Sequence, residues 1–102
     1  MEERTTPALV TVDPSDNITS FVVRNATERA DHTAILLERS GEWKPLSSKE
    51  FYRDCVELAR GFAAVGIEPG DRVLLMSRTR YEWTLTDFAL WFAGAVSVPV
   101  YE

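Results

Sequence analysis

The stretch GIEPGDRVLLMSRTRYEWTLTDFALWFAGAVSVPVYE, Gly66 to Glu102, decides the fold. Glu68-Pro69-Gly70-Asp71 places Pro and Gly for a type II turn. It delivers Arg72 to Ser77, whose continuous apolar centre suits a strand covered on both faces. Thr79 and Glu82 have the spacing of a capping box, so a helix is expected over Arg80 to Ala93, roughly 20 Å at the standard rise. That length brings the chain back to start a second strand, Val96 to Tyr101, beside the first. Two strands joined through a helix pair in parallel, with a right-handed crossover. Pro99 is expected at an edge or where pairing ends.

The helix inside this stretch carries information of its own. Leu85, Phe88, Ala89 and Phe92 form one face, while Trp83, Leu90 and Trp91 lie on others. A helix apolar nearly all round belongs inside a structure thicker than 102 residues can build, or against a partner. The chain is therefore expected to be one part of a larger protein or to pair with another copy of itself. Asp87 sits among these apolar residues and needs a partner if buried.

Immediately upstream is the best-specified helix of the chain. Ser47 and Glu50 make a capping box, and Leu46 and Phe51 hold the two positions of a hydrophobic staple. Phe51, Cys55, Leu58, Ala59, Phe62 and Ala63 follow at helical spacing, opposite Arg53, Asp54, Glu57 and Arg60. Gly66 supplies a left-handed C-cap, with Ile67 folding back on Phe62 as in a Schellman motif.

Further back, Ala34 to Leu37 and Trp43 to Leu46 flank a turn signal at Ser40-Gly41, which reads as an antiparallel hairpin. Asn17 is a plausible N-cap for a helix over Ile18 to Ala30, in which Ile18, Phe21, Val22 and Ala26 share a face. Residues 1–17 are expected to be an extended segment with a short β-prone piece at Ala8 to Val12, and residues 18–102 a single α/β subdomain, an incomplete part of a larger domain. The order is helix, hairpin, helix and then a parallel βαβ unit. The fold class is α/β.

Composition sets the outer limits. With 45% hydrophobic and 26% charged residues the chain is ordinary for a globular protein, and its length allows roughly two-thirds of the unfolded surface to be buried. The net charge of −5 and the absence of any Lys/Arg run argue against nucleic acid. The N-terminus lacks a basic patch followed by an apolar core, so no secretory signal is expected. The longest apolar run, Phe88 to Val96, falls far short of the ~20 residues of a spanning helix. A cytoplasmic chain is expected, with a peripheral position at the inner membrane face as the alternative. On that reading the sequons at Asn17 and Asn25 are chance matches.

Few residues offer chemistry. Phosphate-loop, zinc-protease, CxxC and GxSxG patterns are all missing. Cys55 reads as a small core residue and His32 as a solvated or capping one without a metal partner. The geometric candidate is Ser77-Arg78-Thr79-Arg80, at the carboxyl end of a strand and the amino end of a helix, where open α/β sheets place ligands and free N–H groups hold anions. The competing reading, that Thr79 caps the helix and both arginines are solvated, is favoured because every βαβ unit has such a corner.

With these residues laid out, Leu46 to Glu102 resembles the N-terminal part of AMP-forming acyl-CoA synthetases. Leu46-Ser47-Ser48-Lys49-Glu50-Phe51 is similar to that family's first core motif, with Ser48 where Tyr is usual and Phe51 for Leu. Gly66 to Val73 resembles its G-[VI]-x-x-G-D-x-V turn, and Ala93 to Val100 its second core motif. Arg80-Tyr81-Glu82-Trp83 and Val98 to Glu102 look most like bacterial long-chain fatty-acid CoA ligases.

The resemblance implies a two-step ligase, in which ATP and a fatty acid give acyl-adenylate with magnesium and coenzyme A then takes the acyl group. It also implies that the phosphate loop, the adenine and ribose motifs and the catalytic lysine lie beyond the second core motif. No catalytic, cofactor-binding or metal-binding residue is therefore carried over, and the chain alone is expected to be inactive. ATP, magnesium and coenzyme A are implied for the parent only. The expected partners are the remainder of the parent chain, a fatty acid bound by that parent, and a second copy of this chain. The alternatives are a stand-alone α/β interaction module or an enzyme adenylating another acid.

Overall fold

The computed structural model describes residues 1–101. Its elements are α1 (Ile18–Glu28), β1 (Thr33–Arg39), β2 (Glu42–Ser47), α2 (Ser48–Ala64), β3 (Arg72–Leu75), α3 (Tyr81–Phe92) and β4 (Val96–Pro99). β3 and β4 pair in parallel, with Arg72 opposite Val96 and Leu75 opposite Pro99. β1 and β2 form a separate antiparallel hairpin.

Local chemistry sets most of the boundaries. Asn17 caps α1 by accepting the Thr19 N–H at 2.9 Å, and Arg29 ends the helix ahead of the expected Ala30 by leaving helical dihedrals. At α2 the Ser47 hydroxyl accepts the Glu50 N–H at 3.2 Å while the Glu50 carboxylate accepts the Ser47 N–H at 2.8 Å. The far end closes as a Schellman motif: Gly66 takes φ 101°, its N–H bonds the Ala63 carbonyl, and the Ile67 N–H bonds the Phe62 carbonyl at 3.1 Å. Ser40 and Gly41 both take positive φ, the requirement of a type I′ hairpin turn.

Two loops meet where the strands begin. The Glu68 carbonyl accepts from the Asp71 N–H and Gly70 has φ 88°, as a type II turn requires. Gly70 then donates to the Gly94 carbonyl at 2.9 Å, and Val96 donates to the Asp71 carbonyl at 2.7 Å. Gly94 itself takes φ 78°, and a Cβ there would lie 3.2 Å from the Pro69 Cβ. Only glycine meets both demands without strain.

The core lies between the helices. Val22, Phe51 and Cys55 are buried together, with Ile35, Leu46, Tyr81, Leu85, Phe88 and Phe92 packed around them. The staple residues Leu46 and Phe51 thus share the core with one face of α3. Phe51 meets Phe88 edge to face at 5.4 Å between ring centres.

Four expectations are corrected. Arg80, not Thr79, is the N-cap of α3, and no side chain caps it; Glu82 instead pairs with Arg39 and Arg80. β3 stops at Leu75 and β4 at Pro99, short of Ser77 and Tyr101. β3 is covered on one face only, with Leu75 buried and Leu74 72% exposed. Ala8 to Val12 forms no strand, and Asp13 to Asp16 closes a turn instead of running extended.

Candidate functional site

The corner expected from the sequence is present as a place in the fold. Ser77 to Arg80 follow β3 and precede α3, and Ser77, Arg78 and Thr79 line, with Trp83, Pro99, Val100 and Tyr101, an open concavity of about 570 Å³. Its polar groups are turned to local work. The Ser77 hydroxyl donates to the Arg78 carbonyl at 3.0 Å, and the Arg80 carbonyl accepts the Trp83 N–H. Arg80 Nε lies 3.3 Å from the Glu82 carboxylate, which Arg39 meets from the hairpin at 3.2 Å. Glu82 already places a negative charge in the first turn of α3. A carboxylate at a helix N-terminus satisfies the macrodipole and opposes a second anion. Arg78 and Thr79 are exposed.

The remaining sequence candidates are scattered. Cys55 is fully buried between the helices, and burial pushes its thiol up to about 12, which removes it as a nucleophile near neutral pH. His32 is exposed, and its carbonyl accepts from the Ser48 N–H at 2.8 Å. Asp87 is 9% exposed, on α3. Among the described residues no group of three His, Cys, Asp or Glu side chains converges to hold a metal ion. The described residues do not fit a magnesium-bound nucleotide: Glu82, the carboxylate at the start of α3, is already paired with Arg39 and Arg80, and no group of three possible metal ligands converges.

Three contacts escape a linear reading: Arg39 to Glu82, Tyr81 to Asp54, and Gly94 against Pro69. Each joins residues far apart in sequence. The last had a signal, since Pro-Gly and Ala-Gly precede the two strands in turn.

The fold matches known proteins. Residues 22–102 match the family of AMP-binding enzymes. The chain belongs to that family. The long-chain-fatty-acid–CoA ligase FadD15 of Mycobacterium tuberculosis is 38% identical over 104 residues, which take in all of this chain and 17% of that protein. A putative long-chain-fatty-acid CoA ligase from Rhodopseudomonas palustris superposes with a TM-score of 0.68 at 29% identity, over 78% of this chain and 19% of that one. The N-terminal subdomain of Klebsiella oxytoca NpsA superposes with a TM-score of 0.73 at 21% identity, over 82% of this chain and 21% of that one, a likeness of fold. This AMP-binding family member is thus homologous to the N-terminal portion of long-chain fatty-acid CoA ligases and spans about a sixth of the curated relatives it matches.

Proposed function

We propose that this chain is the N-terminal scaffold of a long-chain fatty-acid CoA ligase, whose parent activates a fatty acid with ATP and transfers it to coenzyme A. The observation that carries the reading is the 38% identity to FadD15 along the whole chain. The geometry supports it, because the turns at Glu68 to Asp71 and at Gly94 serve strand placement, and Arg80 beside the corner is already paired with Glu82. Ser77, Arg78, Thr79 and Arg80 are accordingly assigned to the scaffold, and residues 18–102 to a subdomain that the parent completes. ATP, magnesium, coenzyme A and the fatty acid are ligands of the parent. The reading carries with it a cytoplasmic location, or the inner membrane face, which cell fractionation decides.

The test is a graft. The 102-residue chain given ATP, magnesium and palmitate releases no pyrophosphate, whereas the same chain replacing the matching segment of M. tuberculosis FadD15 supports palmitoyl-CoA formation. Pyrophosphate from the chain alone, or a folded but inactive graft, overturns the reading. Profiling the graft's parent with short and cyclic acids separates a fatty-acid ligase from an enzyme of another acid.

A further inference from the structure

Asp87 and Ser97 pose a problem that the described residues do not solve. Asp87 sits on α3 with 9% of its surface exposed, and its Oδ1 has no hydrogen-bond partner. Ser97 Oγ, on β4, is the other buried side-chain oxygen without a partner among the described residues. α3 and β4 pack against each other. Leu75 is buried on the α3 side of the sheet while Leu74 is exposed on the other, and Ser97, opposite Val73 in the ladder, shares the Leu75 side. Trp83 and Trp91 stand one helical turn from Asp87 on either side, and neither indole N–H reaches Oδ1. The ion pairs among the described residues use Asp16, Asp31, Asp54 and glutamates, never Asp87.

A carboxylate oxygen buried without a donor is unfavourable, and native structures supply the donor. We infer that Asp87 and Ser97 form a buried receptor for a basic side chain, Arg or Lys, carried by the part of the parent ligase outside these 102 residues. A cation with several N–H groups satisfies the carboxylate and the hydroxyl together, whereas a neutral donor leaves the charge uncompensated. The relatives are long enough to provide it, since the chain spans 17% of FadD15. The inference rests on the scaffold reading.

The test compares one substitution in two settings. In the isolated chain, Asp87→Asn removes an unpartnered charge without changing shape, and the thermal midpoint rises by several degrees. In the chain grafted into M. tuberculosis FadD15, the same substitution breaks the new ion pair and the midpoint falls; Asp87→Ala, as a second variant, falls there too. A merely structural role moves both settings in one direction. A lower midpoint or loss of folding in the isolated variant shows Asp87 already paired and overturns the inference. An unchanged or raised midpoint in an active graft overturns it while leaving the scaffold reading intact. An inactive wild-type graft sinks the scaffold reading first, and the receptor with it.

Discussion

The Tyr81 hydroxyl donates to the Asp54 carboxylate at 2.8 Å, tying the first turn of α3 to the middle of α2. Both side chains are half-buried, and Tyr81 also stands 6.4 Å from Phe51 between ring centres. Burial first, and the Asp54 bond second, push the Tyr81 phenol well above its usual range. Tyr81→Phe keeps the ring packing and removes the bond, so it costs about 1.5–3 kcal/mol, the range for a bond to a charged acceptor. Urea denaturation checks this; an unchanged midpoint would separate the bond from stability.

Cys55 gives a pH dependence with a definite sign. Burial raises its pKa to about 12 in the folded chain, against about 8.5 for a free thiol. The folded state therefore holds a proton that the unfolded state gives up. Stability is full below about pH 8.5 and declines as pH rises towards 12. Tyr81 adds to the same trend at the alkaline end. Denaturation midpoints measured from pH 7 to 11 should fall, and less steeply in Cys55→Ala. At pH 8 a thiol reagent should react with the chain only after denaturant is added.

Gly94→Ala meets two obstacles, a positive φ of 78° and a Cβ contact with Pro69 at 3.2 Å. The expected loss is roughly 1–2 kcal/mol from the left-handed conformation, with the contact adding to it. Gly41→Ala has the same conformational problem, at φ 81°, without a neighbour within 4 Å. Thermal melts of the pair isolate the Pro69 contact. Equal losses would dismiss it.

The uncovered side of the β3–β4 sheet should make the isolated chain associate. Leu74 is 72% exposed, and Met76 and Val96 are also exposed. Apolar surface on a short sheet with open edges invites pairing with another copy. Light scattering should show dimers or larger species, reduced by Leu74→Lys. A monodisperse wild-type monomer would refute this account.

The parts of the fold legible in the sequence are those decided within a few residues. Asn17, Ser47 and Gly66 fix helix ends through bonds no more than five residues long, and Glu68 to Asp71 closes its own turn. What escaped depended on distant chain. Thr79 has the spacing of a cap, but Glu82 is drawn to Arg39 on the hairpin and to Arg80, so the box never closes. The apolar run Val73 to Met76 calls for two covering layers and finds one. The Ser77 to Arg80 corner lies where the sequence placed it, and its electrostatics turn on a residue, Glu82, that a reading of the loop alone leaves out.

The bonds from Gly70 to Gly94 and from Val96 to Asp71 join the entrances of β3 and β4 ahead of the ladder itself. Their consequence is kinetic. A slip of one residue would turn Leu75 outward and Leu74 inward, and these two bonds forbid it before either strand is extended. Parallel pairing is slow because its contacts are far apart in sequence. Here α3 brings the two entrances together, so the register of β3 and β4 is set as soon as these two bonds form.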